Sequence, residues 1–314
     1  GDPNCEWEDM LTTLRAGLSM GLSGVPFWSC DNGGFAAMTG HLTPELWIRW
    51  SQLSMFTSRP RLHGTEDVRR VPWTFGDRAV ENFRKYAKLR YRLLPYIYSQ
   101  AYKATKTGLP MMRAMVLEFQ DDPNTYSMED QYMFGDALLV APVYTPDNRR
   151  TVYLPEGRWF DYWTDEEYEG PSTIKVQPPL EVLPLYIKGN SIIPMGPDMS
   201  YVGEKPFDPI TLDVRLHSEA ECTIYDDDQI VQCRARRKKD RVVVDVSASK
   251  RTHVVKLNRT GILASVKLNG VEIPRKASAV ELEASEHGWY FDPTFVVYAK
   301  FKGLGGRCEL VLRA

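Results

Sequence analysis

The chain has 314 residues, a net charge of -2 at pH 7, 43% hydrophobic and 25% charged residues. That is the composition of a globular protein with roughly two or three domains. The near-neutral charge argues against nucleic acid and against an anionic membrane surface as partners, and no apolar run is long enough to span a bilayer. The five cysteines, Cys5, Cys30, Cys222, Cys233 and Cys308, show no CxxC or Cys/His ligand spacing, so no zinc site is expected. Free thiols are the simplest reading and lean slightly towards an intracellular, reducing compartment.

In chain order, Trp7, Met10, Leu11, Leu14 and Leu18 fall on one helical face, behind Pro3 and Asn4 at the helix start. Gly1-Asp2 therefore occupies a loop directly before a helix. An apolar run over 22–28 (Leu22, Val25, Phe27, Trp28) predicts a strand that stops at Ser29-Cys30-Asp31-Asn32-Gly33-Gly34. An aspartate behind a buried strand, followed by two glycines, suits a ligand-facing loop and equally a structural turn. A helix is expected over 44–57, with Thr43 as N-cap and Pro44 in its first turn. The next loop carries Arg61, His63 and Trp73, with Arg61 read as structural.

A long helix is expected over 79–107, kinked at Pro95, then a strand over 110–119 and a short helix over 129–134. Arg113 and Glu118 read as an internal ion pair. This alternation predicts parallel βα units, too few here to cover both faces of a sheet. After Gly135 short strands separated by Pro, Gly and Asp predict antiparallel sandwiches. The expected domains are residues 1–135, 136–197 and 198–314. Cys222 and Cys233 flank a hairpin whose tip is Asp226 to Asp228, an acidic turn with too few oxygens for calcium. The basic run from Arg234 to Lys239 reads as a solvated strand end. The sequon Asn258-Arg259-Thr260 carries little weight.

Ten strings in order then resemble glycoside hydrolase family 31, the α-glucosidase and α-xylosidase family. They are GDPNCEWEDM, GLSMGLSGVPFWSCDNGGF, RLHG, VPWTFGD, LRYRLLPYIYS, GLPMMRAMVLEF, DQYMFGDALLVAPV, YLPEGRWFDYW, LPLYIKGNSIIPM and YDDD. FWSCDNGGF and PMMRAMVLEF are most similar to the α-xylosidase branch. The resemblance implies the C-terminal part of a (β/α)8 barrel followed by two antiparallel β-sandwich domains. It implies a retaining, exo-acting α-glycosidase acting on a terminal α-xyloside or α-glucoside. It places the acid/base at Asp2, and assigns Asp31 and His63 to hydroxyls of the non-reducing sugar. Trp28 and Phe35 offer apolar faces to the pyranose.

Such an enzyme needs two carboxyl groups about 5–5.5 Å apart, one as nucleophile and one as acid/base. The family's nucleophile lies upstream of these residues. The chain is therefore expected to be a C-terminal fragment, a cleaved product or one piece of a two-chain assembly, with the N-terminal part of the same protein as partner. No cofactor or metal is implied, and a homo-oligomer stays open. Two alternatives stand beside hydrolysis: an α-transglycosylase, and a non-catalytic carbohydrate-binding or structural piece.

Overall fold

The computed structural model describes residues 2–38, 41–66, 69–226, 229–258, 263–303 and 306–312. Two compact units form, one from residues 1–90 and 100–188, the other from 91–99 and 189–314.

The first unit opens on α1 (Trp7–Leu22), whose Met10, Leu14, Gly17, Leu18 and Gly21 are buried. The helix starts later than expected, because Pro3, Asn4 and Cys5 are used to pair with the segment at Phe35 and Ala36. It also ends later. Leu22, expected in a strand, is the last helical residue, and both it and Val25 are exposed. Gly21 continues the buried stripe against Pro110, so the helical period does not break where the apolar run begins. Residues 25–30 belong to no helix, turn or strand ladder. Trp28 exchanges bonds with Ser58: its N–H donates to Ser58 Oγ at 3.3 Å, and its carbonyl accepts from Ser58 N–H at 3.2 Å.

The second helix, α2 (Pro44–Ser54), starts at the expected signal, with Thr43 Oγ1 accepting from Leu46 N–H at 3.2 Å. Leu46 to Ser54 are all buried. Trp47 stacks on Phe75, ring centroids 5.1 Å apart, in a small core with Ile48, Ala79 and Leu180. Arg49 is buried among these residues. Its guanidinium donates to Asn148 Oδ1 at 2.6 Å, Gln52 Oε1 at 3.0 Å, and the carbonyls of Val182, Pro178 and Pro179 at 2.7, 3.1 and 3.2 Å.

The helix expected over 79–107 is two helices, α3 (Asp77–Arg92) and α4 (Leu94–Thr107). Pro95 has no N–H to give and crowds the preceding turn, so the break falls at Leu93. The strand expected over 110–119 is shorter: β1 (Met112–Ala114) turns into α5 (Met115–Glu118). That turn brings Glu118 back onto Arg113 at 2.6 Å, and Asp136 completes the pair at 2.8 Å. The helix expected at 129–134 does not form. Tyr132–Phe134 is a strand, β2, buried on both sides between β1 and β3 (Leu138–Val140). Its neighbours, not a local helical period, decide its conformation. With β4 (Arg150–Asp161), β5 (Glu167–Val176) and β6 (Leu185–Lys188) these strands make an antiparallel sheet in the order β1-β2-β3-β6-β4-β5.

In the second unit one sheet holds β7 (Ser191–Met195), β8 (Ile210–Arg215), β12 (Thr252–Leu257), β15 (Gly288–Phe291) and β16 (Val297–Lys302). The other holds β9 (Glu219–Asp226), β10 (Gln229–Arg237), β11 (Arg241–Val246), β13 (Leu263–Leu268), β14 (Val271–Glu272) and β17 (Gly306–Leu312). A short helix, α6 (Ala279–Ala284), precedes β15. Leu212, Val214, Val255 and Phe301 of the first sheet meet Ile224, Val231, Val244 and Leu310 of the second in one core. One pairing differs from the antiparallel expectation: β8 and β12 run parallel. The chain leaves β8, forms β9 to β11 in the opposite sheet and returns, and such a crossover permits parallel pairing. Cys222 and Cys233 are direct cross-strand partners, and no disulfide joins them. Asp226 is held by Arg251 through both carboxylate oxygens, at 2.6 and 2.7 Å. Asp227 and Asp228 of the acidic tip, and Arg259 and Thr260 of the sequon, lie outside the described residues.

Two stability predictions follow from buried polar groups. Arg49→Met strands several buried acceptors and is expected to cost about 3 kcal/mol or more in urea unfolding of the chain. A cost under about 1 kcal/mol would show that water replaces the guanidinium. His253 on β12 is fully buried against Phe301, and neither ring nitrogen has a hydrogen-bond partner among the described residues. Burial lowers its pKa from 6.5 to about 4, despite the nearby carboxylates of Asp208 and Asp226. The unfolded chain then takes up this proton before the folded chain does. Stability is unaffected above pH 6.5, falls as the pH drops towards 4, and loses at most about 3 kcal/mol below that. Thermal unfolding between pH 7 and 4.5 checks this, and His253→Leu should flatten the curve.

Candidate active site

Three loops of the first unit meet, and backbone bonds join them. The loop before α1 reaches the Asp31 loop where Phe35 N–H donates to Pro3 O at 2.7 Å and Asn4 forms a parallel bridge with Ala36. The Asp31 loop reaches the His63 loop through a parallel bridge between Asp31 and Arg61, with Asn32 N–H donating to Arg61 O at 3.1 Å. A further bond runs from Thr65 N–H to Phe35 O at 2.8 Å. These pairings are parallel, as consecutive βα units require. They are single bridges, so the segments register as loops instead of strands.

Gly34 makes the first contact possible. Its φ is +84°, and a Cβ there would stand 2.5 Å from Asn4 O. Only glycine accepts both the left-handed backbone and the close approach.

Asp2 is exposed, and among the described residues its carboxyl makes no hydrogen bond or ion pair. It stands one residue from the carbonyl that receives Phe35. Asp31 is buried, and its carboxylate pairs at 2.5 Å with Nε of Arg61, whose side chain is itself exposed. Phe35 and His63 face each other with ring centroids 5.5 Å apart. His63 is exposed, so its nitrogens remain available.

Trp28 is half-buried. Its indole packs on α1 at Gly17, where a Cβ would fall 2.4 Å from the ring. One face of that ring therefore serves helix packing. Cys30 follows the same parity. It is buried towards Trp50 and Ser54 of α2, and burial pushes its thiol up to about 11. A thiol that stays protonated at neutral pH is a poor nucleophile.

Sequence reasoning missed two arginines under the loops. Arg90 donates to the carbonyls of Met55, Thr57 and Ser58 at 2.6, 2.8 and 2.9 Å, fixing the chain that leads into Arg61 and His63. Arg70 donates to Gly34 O at 2.7 Å, Phe35 O at 2.6 Å and Thr65 O at 3.1 Å. An arginine that bonds main-chain carbonyls far away in sequence leaves no local pattern to read. A groove of about 1030 Å³ also lies in this unit, lined by Arg15, Glu129, Asp130, Tyr144, Arg150 and Lys175. None of its residues belongs to the three loops, and its acidic groups are already paired, Glu129 with Arg15 and Asp130 with Arg150.

The chain is 35% identical over 301 residues to Alpha-glucosidase 2 of Bacillus thermoamyloliquefaciens, covering 93% of this chain and 38% of that protein. It is 36% identical over 234 residues to an alpha-xylosidase of Saccharolobus solfataricus, covering 73% of this chain and 32% of the relative. Among solved structures, a cycloalternan-forming enzyme from Listeria monocytogenes in complex with a pentasaccharide substrate superposes with a TM-score of 0.93 at 29% identity, over 99% of this chain and 32% of that one. The chain thus spans about a third of the length of these relatives. Residues 1–100 match the TIM-barrel domain of glycosyl hydrolases family 31 and residues 108–193 its C-terminal domain, so the chain belongs to glycoside hydrolase family 31 as part of the barrel followed by β-sandwich domains.

Proposed function

We propose that this chain carries the acid/base half of a retaining, exo-acting α-glycosidase that cleaves a terminal α-xyloside or α-glucoside. The observation that carries the reading is the junction of Pro3 with Phe35. It sets a solvent-facing carboxyl beside the loops that bear Asp31 and His63, in a chain of family 31. Asp2 protonates the departing glycosidic oxygen while a second carboxylate, from polypeptide preceding these residues, attacks the anomeric carbon. Asp2 then removes a proton from the incoming water, whose oxygen displaces the enzyme carboxylate. Asp31 accepts from sugar hydroxyls, His63 donates to one, and Phe35 lies under the apolar ring face. Trp28 anchors the segment that carries Asp31. The oligosaccharide and the preceding polypeptide are the proposed partners.

A second reading keeps the first step and changes the acceptor. A solved relative is named for a saccharide that it forms, which favours sugar as well as water in the second displacement. The product ratio with and without added acceptor sugar separates the two.

In the complete enzyme, Asp2→Asn should lower kcat/KM on an unactivated α-linked disaccharide by about 10²–10⁴. The loss should be smaller on a p-nitrophenyl α-glycoside, whose leaving group needs little protonation. Azide should restore turnover and give an α-glycosyl azide. Equal losses on both substrates without azide rescue would remove Asp2 from the acid/base role. Gly34→Ala forces a strained backbone, costing about 1–2 kcal/mol, and drives the two loops apart. Its kcat/KM should fall well beyond what its loss of stability explains, as parallel kinetics and urea unfolding would reveal.

A further inference from the structure

We propose that Arg70 is a positioning residue that sets the spacing between the Asp31 loop and the His63 loop, and through them the polar contacts made to the bound sugar. The inference rests on the glycosidase reading above. Arg70 is buried, and its guanidinium bonds both loops at once. Nε donates to Gly34 O at 2.7 Å and Nη2 to Phe35 O at 2.6 Å, while Nη1 crosses to Thr65 O at 3.1 Å. Phe35 carries the ring that faces His63, and Thr65 follows His63 by two residues. Phe35 O therefore receives both Arg70 and the Thr65 N–H, the latter at 2.8 Å.

The glycine of the RLHG string has its explanation here. A Cβ on Gly64 would lie 2.1 Å from Arg70 Cζ and 2.4 Å from Nη1. Its φ is outside the left-handed region, so the demand for glycine comes from the guanidinium lying flat against the backbone. The base of the clamp is fixed as well. The indole N–H of Trp47, fully buried on α2, donates to the carbonyl of Arg70 at 3.1 Å. A planar fork can serve three carbonyls in different directions at once, and an ammonium on a flexible stem cannot hold that geometry.

The test is a kinetic cycle in the complete enzyme with p-nitrophenyl α-xyloside and α-glucoside, with thermal unfolding recorded for every variant. Arg70→Met should lower kcat/KM at least about 30-fold, mainly through KM, because the sugar-binding contacts are misplaced while the acid remains. Arg70→Lys should recover part of that loss. Combined with His63→Ala, Arg70→Met should cost clearly less than it does in the wild-type background, since one of the contacts it positions is already gone. Gly64→Ala keeps the arginine but displaces its guanidinium, and should reproduce most of the loss, so the test survives if Arg70→Met fails to fold. Wild-type kcat/KM in the Arg70 or Gly64 variants would overturn the proposal, and so would losses that multiply fully with His63→Ala. Wild-type enzyme inactive on every α-glycoside would instead overturn the reaction, and this role with it. An active wild type with indifferent Arg70 variants would overturn the role alone.

Discussion

Carbonyl groups buried beneath irregular loops need donors, and the three loops of the candidate site lack the ladders that would supply them. Guanidinium groups meet much of that need. Arg70 bonds the carbonyls of Gly34, Phe35 and Thr65, and Arg90 those of Met55, Thr57 and Ser58 on the way into the His63 loop; away from the site Arg49 does the same for Pro178, Pro179 and Val182. Burial pulls both Arg49 and Arg90 down to about 10, so each remains a cation at neutral pH. A buried cation is costly unless its hydrogen bonds are filled. Each arginine therefore fixes its loop, and the loop carbonyls in turn keep the cation tolerable. Removing either side strands the other.

This arrangement suits chemistry that depends on position. A loop held at its carbonyls can present a side chain to within a fraction of an ångström, which orientation effects require. Asp31 shows the division of labour. Arg61 holds its carboxylate, and Asn32 N–H bonds Arg61 O, so the ion pair and the backbone bridge enforce the same register. Phe35 ties the site together: its N–H holds the loop of Asp2, its carbonyl accepts from Arg70 and Thr65, and its ring faces His63.

Much of this was legible in the sequence, and what was not has a common cause. Local signals worked. The Thr43-Pro44 start of α2, the buried stripe of α1 and the Arg113–Glu118 pair stand as read. The ordered strings gave the family, and with it the barrel part and the β domains. Signals that depend on distant neighbours did not work. Tyr132–Phe134 is a strand because β1 and β3 flank it, and the run after Gly21 forms no strand because a ladder is lacking. The parallel β8 and β12 pair depends on where the intervening strands pack. The arginine clamps are invisible for the same reason. Their acceptors are carbonyls, which every residue carries, so the sequence holds no partner to match.

The segment from Trp28 to Asp31 shows how one short stretch serves packing and chemistry together. Its successive side chains alternate in what they touch, as they do in a strand. Trp28 and Cys30 take one parity: the indole lies on α1 at Gly17, and the thiol is buried towards Trp50 and Ser54 of α2. Ser29 and Asp31 take the other: the hydroxyl bonds Arg59 O, and the carboxylate meets Arg61. Shifting the register by one residue would carry a carboxylate into the helix contacts and an indole onto the His63 loop. The first placement would bury a charge without a partner and the second would expose a large ring, so both penalties oppose the same slip. The apolar residues that anchor this segment thereby also aim Asp31, and the aspartate keeps its direction without a full strand ladder to hold it.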